Sequence, residues 1–140
     1  MDMTLAILKP DSVAAGNTGK ILAHLEAEGF TLRALKLLRL SGEQAEAFYE
    51  VHRERPFYGS LVEFMTSGPV VPVALERVDA VAHLRQVMGA TDVAKAAPGT
   101  VRNLFGTSIE RNAIHGSDSA ENAALELAFF FSRAELLAGR

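Results

Sequence analysis

The sequence predicts an α+β domain of the ferredoxin-like, split β-α-β type: a four-stranded antiparallel sheet covered by helices, with a long loop before the last strand. Short apolar runs alternate along the chain with segments of helical spacing, in the order β-α-β-α-β-α-loop-β-α. Turn and cap residues separate these segments. The 140 residues are 49% hydrophobic, enough for one core, and we expect a single domain over residues 1–140.

Composition excludes several classes of protein. The chain has no cysteine, so disulfide frameworks, thiolate catalysis and zinc ribbons are ruled out. Its formal net charge of −3 gives no broad electrostatic reason to bind nucleic acid. No apolar run approaches the roughly 20 residues of a membrane span, and Met-Asp-Met-Thr does not begin a signal peptide. We therefore expect a cytoplasmic protein.

The first element is the apolar run from Met3 to Leu8, which ends at Lys9-Pro10-Asp11-Ser12. Because Pro10 removes a backbone donor, we predict a buried strand followed by a turn. Lys9 then stands at the end of the strand, where a side chain can face a ligand. From sequence alone, a solvated lysine is the commoner interpretation.

A helix and a second strand follow. Apolar residues at helical spacing predict a helix from Gly19 to Glu28, with Asn17 or Thr18 as its cap. Loose alternation of apolar and basic residues predicts a strand from Phe30 to Leu40.

Two helices come next. Ser41 is followed three residues later by Gln44, the spacing of a capping box, and this predicts a helix from Glu43 to Val51. Pro56 suits the first turn of another helix, from Phe57 to Met65.

The third strand is predicted from Val70 to Leu75, a β-branched run that contains Pro72. A central strand needs the backbone N–H that proline lacks. Either the ladder starts after Pro72, or that N–H would have pointed off the sheet. Asp79 is predicted to cap the following helix, which Gly89 ends.

The C-terminal part begins with a long loop, Ala90 to Arg111, which has no clean periodicity and is expected to be functional or an interaction surface. Asn112–His115 is predicted as a short fourth strand. A strong helix is predicted from Ala120 to Phe131, and a helical tail from Ser132 to Leu137. The residues expected on one side of the strong helix are Ala124, Leu127, Ala128 and Phe131.

The stretch around His115 carries the clearest chemical signal. Gly116 and three short oxygen-bearing side chains follow the histidine, and such residues suit a tight turn and a helix start. Taken alone, this pattern favours a structural histidine on a capped turn. Other residues could nevertheless assemble a site for phosphoryl transfer around His115. They are Lys9, Arg85 and Arg102 as cations, Thr91 as a hydroxyl and Glu126 as an orienting carboxylate.

A resemblance changes this balance. The segment Asn112–Ser119, Asn-Ala-Ile-His-Gly-Ser-Asp-Ser, closely resembles the active-site signature of the nucleoside diphosphate kinases. Further blocks resemble that family in order and spacing, from about residue 3 to about residue 137. They are Ile7–Asp11, Gly29-Phe30, Arg55–Phe57, Ser67–Val71, Met88–Thr91 and Pro98–Arg102.

The resemblance implies a nucleoside diphosphate kinase-like domain that moves the γ-phosphate of a nucleoside triphosphate, typically ATP, to a nucleoside diphosphate. It implies a ping-pong mechanism through a phosphohistidine on Nδ1 of His115, with broad base and sugar tolerance. Glu126 and Ser117 match residues that hold the imidazole ring, and Tyr49 matches a tyrosine packed beside it.

It also implies the nucleotide contacts. Matches to phosphate ligands are Arg85, Thr91 and Arg102, with His52 near the phosphates. Lys9 and Asn112 match residues that bind the sugar hydroxyls and inner phosphate oxygens. Phe57 matches the aromatic residue on which the base stacks, with Ile109 facing it.

Family members use Mg²⁺ held mainly by the nucleotide phosphates, with the aspartate that Asp118 matches nearby through water. They form tetramers or hexamers built from a shared dimer, so we expect a homo-oligomer. No membrane partner is expected, nor a nucleic acid.

Two residue pairs and one single residue depart from the family pattern. Asp92-Val93 stands where many members have Asn-Pro, in a loop that often supports subunit contacts. Asn103-Leu104 replaces a Gly-Asp or Ala-Asp pair, and Pro72 replaces a commoner small or apolar residue. The first departure bears on assembly stability, not on catalysis.

Two other functions remain open from sequence. One is a non-catalytic module that binds nucleotides or nucleic acid for regulation, against which the intact set of candidate ligands argues. The other is protein-histidine signalling by phosphate relay, which would share His115.

Overall fold

The computed structural model describes residues 2–138, so Met1, Gly139 and Arg140 of the predicted 1–140 domain lie outside the described residues. Its centre is a four-stranded antiparallel sheet in the order β2-β3-β1-β4. The strands are β1 (Asp2–Leu8), β2 (Thr31–Leu35), β3 (Val71–Arg77) and β4 (Ile114–Gly116). The predicted fold class is confirmed.

Helices connect and cover these strands. The α-helices are α1 (Pro10–Ala14), α2 (Thr18–Ala27), α3 (Gly42–Phe48), α4 (Tyr58–Met65), α5 (Ala80–Met88), α6 (Val101–Phe105), α7 (Ala120–Phe130) and α8 (Arg133–Leu137). Two short 3-10 helices lie at Glu50–His52 and Val93–Lys95.

Helices bury both faces of the sheet. Alternate residues of β1 point to opposite faces and therefore pack into two separate clusters. Ala6 and Leu8 pack with residues of α2 and α5, whereas Leu5 and Ile7 pack with residues of α3, α4 and α7. The near-continuous apolar sequence of β1 follows from this two-sided burial, since every residue from Leu5 onward is fully buried.

Pro72 lies within the ladder of a central strand, so the first of the two alternatives, a ladder that starts after Pro72, is wrong and the second holds. Its register partner in β1 is Ile7, and its carbonyl accepts from Lys36 N at 3.1 Å. In an antiparallel strand the N–H and C=O of one residue face the same neighbour. The missing donor therefore faces the chain just beyond Leu35, where β2 has ended, and the ladder with β1 is intact.

The second strand is shorter than the predicted Phe30–Leu40. Its register with β3 shifts between Leu32 and Ala34, and beyond Leu35 only an isolated bridge joins Leu38 to Val70. A bulge bends the strand away from a regular ladder, which alternation of side chains does not reveal.

The predicted capping box is confirmed: Ser41 Oγ accepts from Gln44 N, and Gln44 Oε1 accepts from Ser41 N. The helix it starts ends at Phe48, not Val51, and continues as a 3-10 turn. Likewise Pro56 lies in a turn, and the helix predicted from Phe57 begins at Tyr58.

The N-terminal turn and two caps also differ from prediction. Pro10 opens a short helix in place of a turn, because proline at the first helical position loses no hydrogen bond. Asn17 and Asp79 occupy N-cap positions, but neither side chain caps its helix. Asp79 instead adopts a left-handed conformation with φ 58°.

The segment Ala90–Arg111 is not one loop, because a 3-10 helix and α6 lie within it. Asp92 Oδ1 accepts from Ala94 N, and Asn103 Oδ1 accepts from Gly99 N. Two of the residue pairs that depart from the family pattern thus make local hydrogen bonds that fold this segment.

The buried face of α7 was predicted wrongly in part. Ala124 and Ala128 are exposed, and the buried positions are Ala123, Leu127 and Phe130. Apolar residues occur on most sides of this helix, so their spacing does not distinguish the buried face from the adjacent one. Among residues 2–138, no helix is long and apolar enough to cross a membrane.

Candidate active site

A cleft of about 670 Å³ opens beside β4, between the α3–α4 region on one side and α5, α6 and α7 on the others. The predicted site residues that line it are Lys9, Tyr49, His52, Phe57, Arg85, Thr91, Arg102, Ile109, Asn112, His115, Asp118 and Glu126. Ser117 is fully buried and is not among the lining residues. The structure therefore brings predicted residues that are spread over more than a hundred positions to one cleft.

A tight turn before β4 sets the position of His115. Ala113 has φ 75°, and Ile114 N donates to Asn112 O at 2.9 Å across it, the geometry of a γ-turn. The Ala113 carbonyl accepts from Lys9 N at 2.9 Å and from Ser12 Oγ at 2.8 Å. The predicted strand Asn112–His115 is consequently shifted, and pairing starts only at Ile114.

His115 lies opposite Ile7 in the sheet and so points toward α3 and α7. Its Nε2 is 2.8 Å from Glu126 Oε1. That same oxygen accepts from Ser117 Oγ at 2.7 Å. If the carboxylate is ionised, Nε2 carries the proton that it accepts, and Nδ1 keeps its lone pair; this tautomer is assigned from the hydrogen bond.

Aromatic rings surround the imidazole. Phe48 meets it at a centroid distance of 5.4 Å and Tyr49 at 6.2 Å, both with their planes near perpendicular to the imidazole. His52 stacks on Tyr49 at 6.4 Å and lies 5.4 Å from Phe57, so rings continue from the histidine to the cleft mouth. Burial, and then the Glu126 charge, raises the pKa of the Tyr49 phenol, which stays protonated.

Lys9 and Asn112 form a buried polar pair at the end of β1. Lys9 Nζ donates to Asn112 Oδ1 at 2.8 Å, and Asn112 Nδ2 donates to Thr91 O at 3.1 Å. Burial, with repulsion from Arg102 second, lowers the pKa of the Lys9 ammonium to about 8. The solvated lysine that is the commoner interpretation from sequence is therefore wrong, because Lys9 is buried.

The two arginines of the cleft differ in how they are held. Arg102 is buried and donates to the carbonyls of Gly89 at 3.0 Å and Ile114 at 2.8 Å. Burial, followed by repulsion from Arg85, lowers its pKa to about 10. Its Nε has no partner among the described residues, whereas Arg85 is exposed. Two cations face one cleft, an arrangement that favours an anionic ligand.

Asp118 is an exposed carboxylate beside these cations. Its Oδ1 accepts from Asn122 Nδ2 at 2.6 Å, and this hydrogen bond lowers the pKa of the carboxyl. Within residues 2–138, no three His, Asp or Glu side chains are grouped to hold a metal ion. A cation here would need most of its ligands from a bound anion.

Several residues of the cleft were missed. Phe48, Asn122, Glu110 and Leu125 line it although no role was predicted for them. A signal existed for Asn122, which lies one helical turn after Asp118. Phe48 carried none, since an aromatic residue on an amphipathic helix usually belongs to the core.

Taken together, the cleft presents an imidazole oriented through its Nε2, two arginines and a lysine. The buried Tyr49 hydroxyl adds a donor that lacks a partner among the described residues. Such a set suits the nucleophilic capture of a phosphoryl group.

Comparison with known proteins agrees with this chemistry. The family model described as nucleoside diphosphate kinase matches residues 2–136. A nucleoside diphosphate kinase of Rhodospirillum centenum is 56% identical over 137 residues, which cover 98% of each chain. One of Chlamydia abortus is 54% identical, covering 98% of this chain and 97% of the relative.

Solved structures give the same result. The crystal structure of the Aquifex aeolicus nucleoside diphosphate kinase is 50% identical, with a TM-score of 0.93 over 96% of this chain and 97% of that one. A halophilic nucleoside diphosphate kinase from Halobacterium salinarum, solved in complex with CDP, is 40% identical. Its TM-score is 0.91, covering 96% of this chain and 90% of that one.

Proposed function

The chain belongs to the nucleoside diphosphate kinase family, and we propose that His115 is the residue through which it carries out the family's phosphotransferase reaction. The reaction moves the γ-phosphate of a nucleoside triphosphate to a nucleoside diphosphate through a phosphohistidine. The observation that carries the assignment is the 2.8 Å contact between His115 Nε2 and Glu126 Oε1 at the wall of the cleft. It leaves Nδ1 as the nucleophilic atom.

In the first half-reaction, the Nδ1 lone pair attacks the γ-phosphorus of the triphosphate. A P–N bond forms, the bond to the bridging β-oxygen breaks, and the nucleoside diphosphate leaves. In the second, a terminal oxygen of another diphosphate attacks the same phosphorus and displaces the imidazole. Glu126 offsets the positive charge that the ring acquires in the intermediate.

The remaining charges would hold the phosphates. Arg85, Arg102 and Thr91 contribute donors to phosphate oxygens, with His52 nearby. Among residues 2–138 the Nε of Arg102 has no hydrogen-bond partner, which supports this role, because a buried donor without a partner is costly unless a ligand satisfies it. Donor and acceptor present similar phosphates, so one set of cations serves both half-reactions.

The nucleoside part would occupy the rest of the cleft. Lys9 and Asn112 bind the sugar hydroxyls and inner phosphate oxygens. The base lies between Phe57 and Ile109, whose exposed side chains (47% and 61%) both line the cleft. Stacking does not depend on the edge of the base, so broad base tolerance follows.

Mg²⁺ fits this site as a companion of the nucleotide. When bound, it neutralises phosphate charge and lowers the barrier to phosphoryl transfer. The hydrogen bond from Asn122 keeps Asp118 ionised and oriented, which suits a carboxylate that meets the ion through water.

We further propose that residues 1–140 act as one cytoplasmic domain and assemble into a homo-oligomer, either a tetramer or a hexamer built from dimers. Outer strand β2 supports self-association, because Leu35 and Leu37 at its end are 49% and 71% exposed. Light scattering gives the number of subunits.

Labelling tests the function. The protein is incubated with ATP labelled in the γ-phosphate and with Mg²⁺, and the isolated protein is then mixed with an unlabelled diphosphate of another base. We expect an acid-labile label that moves to the new triphosphate. His115→Ala should take up none, whereas His24→Ala, on α2 and outside the cleft, should behave like wild type. Absence of label on the wild type, or equal label on His115→Ala, would falsify the assignment.

A further inference from the structure

We propose that Phe48 is a positioning residue that fixes the orientation of the His115 ring for phosphoryl transfer; the inference rests on the proposed function of His115. Phe48 is the last residue of α3 and lines the cleft. Its ring lies 5.4 Å from the imidazole, with an angle of 74° between the planes. This is the edge-to-face geometry that aromatic pairs prefer.

Phe48 can act as a fixed support because it is itself held. Its ring lies 5.3 Å from Phe129 and 5.2 Å from Phe130, both on α7, and 4.9 Å from Tyr49. A ring with three aromatic neighbours besides the histidine has little freedom to turn. The support is therefore a cluster of rings, with Phe48 as the member nearest the imidazole.

Helix α7 constrains His115 in two ways, by a hydrogen bond and by ring packing. Glu126 bonds Nε2 directly at 2.8 Å. Phe129 and Phe130 follow three and four residues later, on the same side of the helix as Glu126, and act through Phe48. The imidazole is thus held at one edge by a hydrogen bond and on another side by packing.

The two constraints have different effects. The hydrogen bond to Glu126 fixes the position of Nε2 but permits the ring to tilt about that contact. Packing against Phe48 removes the tilt. The Nδ1 lone pair lies in the ring plane, so the tilt decides whether it points along the line of attack on phosphorus, and productive geometry tolerates only about 10–20°. Without Phe48, nucleotide still binds, but fewer bound complexes are aligned.

The test replaces the aromatic ring of Phe48 by an apolar side chain without a ring. We expect Phe48→Leu and Phe48→Met to slow the single-turnover phosphorylation of His115 by ATP by roughly tenfold or more, since small misalignments are costly in rate. Nucleotide dissociation constants should not change. Phe48→Tyr, which retains the ring, should restore a rate close to that of wild type.

Phe30→Leu is the matched control. Phe30 is a buried aromatic that, like the half-buried Phe48, lies beside a histidine (His83, at 5.6 Å), but it lies outside the cleft. We expect it to lower the melting temperature and leave the phosphorylation rate unchanged. NMR relaxation of ¹⁵N-labelled histidine should show added motion of the His115 ring in Phe48→Leu and not in Phe30→Leu.

Three results would overturn the inference: a wild-type rate in both Phe48→Leu and Phe48→Met, a loss expressed as weaker nucleotide binding, or an equal loss of rate in Phe30→Leu. Melting curves give the folded fraction of each variant, to which its rate is normalised. Failure of the wild type to form phosphohistidine is a separate result, which rejects the function of His115 itself.

Discussion

Glu126 Oε1 lies 2.8 Å from Nε2 of His115 and accepts a second hydrogen bond, from Ser117 Oγ, at 2.7 Å. One carboxylate oxygen therefore ties the ring to the buried serine that follows it by two residues. Because Ser117 is fully buried, this contact also fixes the Glu126 side chain. The relationship sets the tautomer of the imidazole and leaves Nδ1 for chemistry.

Replacing this carboxylate should slow chemistry more than binding. In Glu126→Gln the side chain keeps its size but loses the charge that offsets the phosphorylated imidazolium. We expect the phosphorylation rate to fall by about 10–100-fold, as for other partners that orient a functional histidine. Rapid-quench kinetics measures the rate, and equilibrium titration measures nucleotide affinity. An unchanged rate would show that Glu126 is not required.

The two arginines should separate catalysis from stability. Arg85 is exposed and makes no hydrogen bond within the described chain, so Arg85→Ala should lower turnover by about 10²–10³-fold and change the free energy of unfolding by less than about 0.5 kcal/mol.

Arg102→Ala should lower both the turnover and the unfolding free energy, because Arg102 also donates hydrogen bonds to the carbonyls of Gly89 and Ile114. We expect a loss of about 1–3 kcal/mol in unfolding free energy. Steady-state kinetics and denaturant titration of the two variants give the comparison. Equal stability of both variants would contradict it.

Lys9 should make nucleotide capture sensitive to alkaline pH. Burial lowers its pKa to about 8, so the free protein loses this cation as the pH rises through that value. We expect kcat/KM to fall with an apparent pKa near 8, since this ratio reports groups of the free enzyme. In Lys9→Arg the descending limb should move to higher pH; an unchanged profile would contradict the assignment.

The same group affects stability with a defined sign. The unfolded lysine keeps its proton up to about pH 10.5, whereas the folded one releases it near 8. Between these values the unfolded chain binds more protons, so the contribution of Lys9 to the unfolding free energy rises with pH. Below pH 8 the buried ammonium destabilises the fold.

Gly106 should not tolerate a side chain. A Cβ added there would lie 2.8 Å from the carbonyl oxygen of Arg102 and 3.2 Å from Cα of Asn112, both backbone atoms next to the cleft. Gly106→Ala should cost about 1–3 kcal/mol of unfolding free energy and reduce turnover. Gly59→Ala is the control: Gly59 lies within α4, and an added Cβ would meet no atom within 4 Å apart from its chain neighbours and the backbone of its own helix. This variant should gain about 0.5–1 kcal/mol of unfolding free energy. Denaturant titration distinguishes the two; equal effects would reject the steric explanation.

Local signals predicted what local interactions determine. The Ser41–Gln44 spacing gave a capping box because its two hydrogen bonds involve only neighbouring residues. Pro72 was ambiguous because its acceptability depends on where another strand, β2, ends. The shifted start of β4 depends on Ala113, whose positive φ is held by contacts to Lys9, Asp11 and Ser12.

In the site, too, features that depend on contacts between distant elements could not be predicted from the sequence. The resemblance named twelve of the residues that line the cleft. No pattern in the sequence joined Phe48 to His115, since they lie on different elements and meet only through tertiary packing. The resemblance implied phosphorylation at Nδ1, but which ring nitrogen Glu126 engages required the position of Glu126 relative to β4.

The position of the phosphate on the His115 ring tests the central claim most directly. The phosphorylated protein is hydrolysed in alkali, and the Nδ1 and Nε2 isomers of phosphohistidine are separated by chromatography. Because Glu126 occupies Nε2, we predict the Nδ1 isomer alone, and none from His115→Ala. Recovery of the Nε2 isomer, or of no phosphohistidine, would contradict it.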